Sequence, residues 1–207
     1  MRTNDVDILI VPGWTNAGAE HWQTRWETRL KTARRVEMPD FNKPVCSDWV
    51  EAIVAAVEAA TRPVVLVAHG CGVPAVAHAG PKLSGARVVG AFLVGPVDVA
   101  AREPLEAILA AASAAGDHSL ALPIGFDPLP TEPLPFPSLL VASRNDEFCG
   151  YDAAGDMALG WGSELVDAGE VGHLNLASGH GPWPEGALRF GAFLRQLTAD
   201  SARPTFG

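Results

Sequence analysis

Cysteine is scarce in this chain, with three residues in 207. Cys46, Cys71 and Cys149 form an odd set with no C-x-x-C spacing, which excludes a disulfide framework or a zinc knuckle as the organising device. Long apolar runs are missing too. The first run, Ile8 to Val11, follows Asp5 and Asp7 and is far too short for a signal peptide core or a membrane span. No basic cluster exists: 15 Lys and Arg stand against 24 Asp and Glu, and the net charge of −9 is scattered along the chain. Nucleic acid and anionic membrane are therefore not expected as partners, and the charge reads as solubility. Internal repeats and any insertion long enough for a large lid are absent as well. These absences lead us to expect a cytoplasmic protein with no metal and no cofactor that acts on a small molecule. They leave a protein partner unknown.

What is present suits one domain, because a 48% hydrophobic composition at this length can bury a single large core. We place that domain at residues 1–198, with a frayed tail over 199–207. Ile8 to Val11, stopped by Pro12-Gly13, reads as a strand of a parallel sheet covered on both faces. Trp22, Trp26 and Leu30 recur at every fourth residue and mark a helix over about 20–30, with both tryptophans facing a core. A short edge strand is expected at Arg35 to Met38. Ser47 is a plausible N-cap for a helix whose body runs through Ala52 to Ala60. Apolar runs at Val64 to Ala68, Val88 to Val94 and Ser138 to Ala142, with Glu164 to Val166, give further strands. Pro104 opens a helix to about Ala115, Pro123 to Pro137 must be an extended loop, and Pro184 to Leu197 is a closing amphipathic helix. Strands alternating with helices predict a three-layer, doubly wound, mostly parallel α/β sheet, with ligands at the carboxyl ends of its strands.

The residues able to do chemistry lie at those ends. Ala68-His69-Gly70-Cys71-Gly72 has the small-x-nucleophile-x-small form of a strand-to-helix elbow, with glycine at the nucleophile position. Asp146 follows the strand at Ser138, and His173 follows the last strand. The chain order of nucleophile position, acid and histidine is that of α/β-hydrolases, in which the histidine takes the nucleophile's proton and the carboxylate fixes its tautomer. Backbone amides of Cys71 and of Trp14 or Thr15 are placed to hold an oxyanion. Thr15, Asn16, Cys149 and Trp183 are candidate pocket residues. Asp98, after the preceding strand, is a rival acid. His21, His78 and His118 read as surface or structural histidines, and His180 with Trp183 as packing for the loop that carries His173. Gly70-x-Gly72-x-x-Ala75 also fits a dinucleotide fingerprint, but that motif belongs to a first βα unit, whereas two strands and two helices precede it here.

Several of these motifs in this order resemble the small single-domain serine hydrolases related to retinoblastoma-binding protein nine and bacterial YdeN. The resemblance runs through Val11-Pro12-Gly13-Trp14-Thr15-Asn16, Glu20-His21-Trp22, Val67-Ala68-His69, Ser143-Arg144-Asn145-Asp146, Gly172-His173-Leu174-Asn175 and Ser178 to Gly186. It implies an α/β-hydrolase fold without a large lid and hydrolysis of a small ester, amide or thioester through an acyl-enzyme. It also implies a nucleophilic serine where Gly70 stands, the acid at Asp146 and the base at His173. Three readings of Gly70 stay open: an altered copy of a working enzyme, a natural member that now only binds, or cysteine chemistry from Cys71, whose thiol would sit at a helix N-terminus.

Overall fold

A strand covered by helices on both faces has no polar face to show, so continuous apolar runs become the central strands. These are β1 (Asp7–Val11), β3 (Val64–Gly70), β4 (Val88–Pro96) and β5 (Ser138–Ala142), while β2 (Ala33–Arg35) and β6 (Glu164–Asp167) form the edges. The computed structural model describes residues 1–201 and pairs the six strands in parallel, in the order β2-β1-β3-β4-β5-β6. Parallel neighbours need crossovers, and the helices that supply them are α1 (Trp22–Arg29), α2 (Cys46–Glu58), α3 (Gly72–Ala79), α4 (Glu103–Ala114) and α5 (Tyr151–Trp161), while α6 (Pro184–Ser201) follows the last strand.

The period-two alternation of the strands divides the core into two layers. Leu9, Leu66, Leu93 and Leu140 join Trp49 and Ile53 of α2 and Val76 of α3 on one face. Ile8, Val65, Phe92 and Val141 join Trp22 and Trp26 of α1 and Phe190 and Phe193 of α6 on the other. The result is a three-layer, doubly wound α/β fold. The second layer is aromatic: the Trp22 and Trp26 rings meet edge to face at 4.9 Å, and Trp183 stacks on Trp26 at 6.3 Å. The chain winds outward from β1 to β2 and then returns to place β3 on the other side of β1. The crevice beyond the carboxyl ends of β1 and β3 is therefore the topological switch point, where such sheets bind ligands.

Some boundaries differ from the sequence expectation for physical reasons. The α2 helix begins at Cys46 with Val45 as a cap that makes no side-chain bond, so Ser47 is not the N-cap. The start is fixed instead by the long loop, through a bridge between Val45 and Ile124 and a bond from the Cys46 amide to Ile124 O. The first edge strand comes earlier than its apolar residues, because the ladder pairs Ile8 to Ile10 with Ala33 to Arg35. Val36 and Met38 are buried just beyond it. The α5 helix has no counterpart in the sequence reading. The last helix runs to Ser201, so the start of the expected tail is helical; residues 202–207 lie outside the described residues. No helix among the described residues is long and apolar enough to cross a membrane.

Candidate active site

The elbow is built by a close approach that excludes side chains. A Cβ on Gly72 would lie 2.5 Å from Val11 O and 2.7 Å from Pro12 O, so only glycine lets the first turn of α3 meet the end of β1. Gly70 itself has φ +58, and the β3 to β4 register shifts between His69 and Gly70. This is the sharp strand-to-helix turn that lifts one residue out of the sheet. A Cβ there would meet nothing closer than His173 Nε2 at 3.5 Å and Gly13 Cα at 3.6 Å.

The acid and the histidine come together across 27 residues of sequence. Both Asp146 oxygens lie within reach of His173 Nδ1, at 3.0 and 2.9 Å, and Oδ1 also accepts from the Phe148 amide at 2.9 Å. The two side chains are only 8% and 2% exposed, His173 and Asp146 respectively. With Nδ1–H committed to the carboxylate, the lone pair of Nε2 is directed at Gly70. The rival acid Asp98 is occupied differently, accepting from the Ala100 amide at 3.0 Å.

The loop carrying His173 is pinned from four directions. Ser143 Oγ accepts from Val171 N, and Asn145 Oδ1 accepts from Gly172 N at 2.7 Å. Trp22 Nε1 donates to Leu174 O at 2.9 Å. His69 Nε2 donates to His173 O at 2.9 Å, since a carbonyl can only accept, and burial holds the His69 pKa well below its usual value. The residue just before the elbow tip thus positions the backbone of the candidate base. Leu174, in the left-handed region at φ +54, is fully buried beneath.

A cavity of about 150 Å³ opens beside Gly70, bounded among others by Thr15, Asn16, His21, Gln23, Leu105 and Phe148. Its wall mixes apolar side chains with polar groups, which suits a small ligand that carries both. Thr15 and Asn16 lie on this wall as the sequence suggested. Trp183 does not, because it belongs to the aromatic core layer. Cys149 is also absent from the wall; it is buried, and burial with the charges of Asp146 and Asp98 pushes its thiol up to about 12. The Thr15 amide donates to Phe41 O at 2.9 Å, so of the expected oxyanion donors it is the one already committed to a backbone carbonyl. The Trp14 amide faces the Cys71 sulfur. Burial raises that thiol to about 12 although the amide works against the rise, which disfavours the thiolate that cysteine chemistry at Cys71 requires.

Two residues on the wall were not legible as site residues. His21 caps α1 by accepting from the Gln23 amide at 3.2 Å, and burial, followed by the charge of Arg35, lowers its pKa to about 4. It is a structural cap and a neutral wall of the cavity at once. Gln23 is fully buried, and its Nε2 donates to Val11 O and Val67 O, each at 3.2 Å, tying β1 to β3 beneath the site. Its Oε1 is the buried side-chain polar atom without a partner among the described residues. A glutamine four residues before Glu27 on an otherwise amphipathic helix could have been noticed only because it falls on the same face as Trp22 and Trp26. His78 Nε2 donates to Phe126 O, and His180 pairs with Ser178 Oγ, both away from the cavity.

Comparison with known proteins agrees with this architecture. A family model described as serine hydrolase matches residues 8–192. A YdeN-like hydrolase from Pectobacterium atrosepticum is similar in structure, with a TM-score of 0.74, 30% identity and 94% of each chain covered. The ydeN gene product of B. subtilis follows the same fold at TM-score 0.64 and 20% identity, over 94% of this chain and 99% of that one. Est1E from Butyrivibrio proteoclasticus shares the fold at TM-score 0.63 and 15% identity, over 96% and 92% of the two chains. No curated protein matches the chain in sequence.

Proposed function

This chain belongs to the serine hydrolase family, and on that premise we propose that the cavity beside Gly70 binds small acyl compounds, an ester, amide or thioester, for attack at their carbonyl. His173 is the general base, Asp146 its orienter, and the Cys71 and Trp14 amides the oxyanion donors. One observation carries this reading: a side chain at position 70 would begin 3.5 Å from the nitrogen of His173 that Asp146 leaves free. With serine at that place the site would run through an acyl-enzyme. With Gly70 it keeps base, acid and cavity but has no hydroxyl to acylate.

The test is Gly70→Ser. The positive φ costs a serine roughly 1–3 kcal/mol, which a fold with this much buried core tolerates. Hydrolysis of p-nitrophenyl acetate should rise about 10³-fold or more, since removing such a serine from a working enzyme costs still more, and a fluorophosphonate should label the new residue. A folded Gly70→Ser protein with neither property removes the reading. Gly70 itself favours a second one, a non-catalytic module that uses the same cavity for binding. Under that reading small carboxylates such as benzoate raise the melting temperature of the native chain, and Gly70→Ser brings no turnover.

A further inference from the structure

We infer that the native Gly70 chain is itself a slow hydrolase, in which a water molecule beside Gly70 replaces the serine hydroxyl as the direct nucleophile. This rests on the acyl-site reading above and extends it to the chain as it stands. Three observations carry it. The first is room at the right nitrogen: a Cβ at Gly70 would find His173 Nε2 at 3.5 Å and otherwise only Gly13 Cα at 3.6 Å, whereas a Cβ on Gly172, the neighbour of His173, would collide with Ser178 Cβ at 2.7 Å. The second is a base kept in working form. Nδ1 is bonded to both Asp146 oxygens, and among the described residues no hydrogen bond engages Nε2. The third is rigidity, since the backbone on either side of His173 is tied to Asn145, His69 and Trp22.

A site that had decayed to a packing element would be expected to have filled this space or loosened this loop. Here one side chain is missing, and a water oxygen about 2.8 Å from Nε2 takes up the direction that a hydroxyl would have used. The first turn of α3 lies alongside, so developing negative charge meets the positive end of that helix.

The chemistry balances without any added reactant. A lone pair of the water oxygen forms the new C–O bond, the carbonyl π pair moves onto oxygen, and the water proton passes to His173 Nε2. The tetrahedral species then collapses: the oxyanion pair re-forms the C=O bond, the bond to the alcohol, amine or thiol leaving group breaks with its electron pair departing on that group, and His173 returns the proton to it. Carboxylic acid and leaving group are released in one displacement. No covalent enzyme intermediate forms.

Gly70→Ala is the sharpest test, because a methyl carbon 3.5 Å from Nε2 occupies the place of the water while leaving His173 and Asp146 untouched. Native protein should hydrolyse p-nitrophenyl acetate with no burst, no change in intact mass during turnover and no fluorophosphonate label. Gly70→Ala, His173→Ala and His173→Gln should each lose about 10²-fold or more of that rate, the usual worth of a general base. Circular dichroism and thermal melting identify any variant that has not folded. Equal rates for native, Gly70→Ala and His173→Gln overturn the inference, as does an acylated native chain. If Gly70→Ser is active while the native chain is silent, the direct-water step falls and the acyl site stands; if Gly70→Ser is also silent, the acyl site falls with it.

Discussion

Two buried carboxylates sit at opposite ends of this sheet and do different work. Asp7, at the start of β1, accepts from the Thr61 and Arg62 amides at 2.9 and 3.1 Å and from the Arg62 guanidinium at 3.1 Å. Asp146, beyond the end of β5, accepts from one amide and one imidazole. The first is bound to a permanent cation and to the backbone, so it can only hold the fold together. The second is bound to a group that can take and return a proton, and that group's other nitrogen faces Gly70. Burial alone does not separate structure from chemistry; the partner's ability to change charge does.

The largest effect should come from breaking the second pairing and leaving the first intact. In the Gly70→Ser protein, Asp146→Asn presents an amide N–H₂ to His173 Nδ1, which forces the ring into the tautomer with Nε2–H directed at the serine. The base then has no lone pair where it is needed. We expect kcat to fall about 10⁴-fold while the melting temperature moves by a few degrees at most. A loss below tenfold would show that Asp146 is only a turn residue with a convenient neighbour.

The contrast also explains what could be read in advance. β1, β3, β4 and β5 were legible because burial on both faces makes their sequences continuous apolar runs, and Asp146 and His173 because they follow strand ends in the right order. Asp7 was not legible, since its partners Thr61 and Arg62 come from the turn after α2 and no local pattern joins them. Helix α5 was missed because two of the three residues in its buried stripe, Ala154 and Ala158 beside Trp161, are alanines that contrast little with the alanines and glycines around them. The interval between Ala142 and Glu164 could have revealed it, because two parallel neighbours demand a crossover of that kind. His21 and Gln23 were hidden for another reason: a cap and a buried amide gain their roles from carbonyls and cavities that other segments bring to them.

Gln23 stands between the two carboxylates in character, polar and buried like both, and at the functional end of the sheet like Asp146. Its Nε2 faces two carbonyls, so the amide cannot flip without setting oxygen against oxygen. Gln23→Glu makes that substitution permanent. It should destabilise the protein by about 3 kcal/mol, the cost of two buried carbonyls losing their donor and of an acid buried without a partner. Urea unfolding measures this directly. A loss under about 1 kcal/mol would mean that the ends of β1 and β3 are held without the glutamine, and that its place is on the cavity wall alone.

The smallest effect belongs to Asp7, and its value lies in its direction. Burial works to raise the Asp7 pKa, but the Arg62 and Thr61 amides and the Arg62 side chain outweigh it and hold the group below its usual 3.8. A carboxylate whose folded pKa is depressed contributes stability that is complete above the ordinary value and is lost as pH falls through the folded one. Asp7→Asn should therefore lower stability near neutral pH by about 1 kcal/mol, in the range of a single partly buried ion pair with its hydrogen bonds. It should also lose less than the native chain when melting is repeated at pH 3. Turnover by the Gly70→Ser protein should not respond, because Asp7 lies at the end of β1 remote from Gly13. If Asp7→Asn changes kcat as Asp146→Asn does, the two ends of the sheet are coupled, and the division between a holding carboxylate and a working one is wrong.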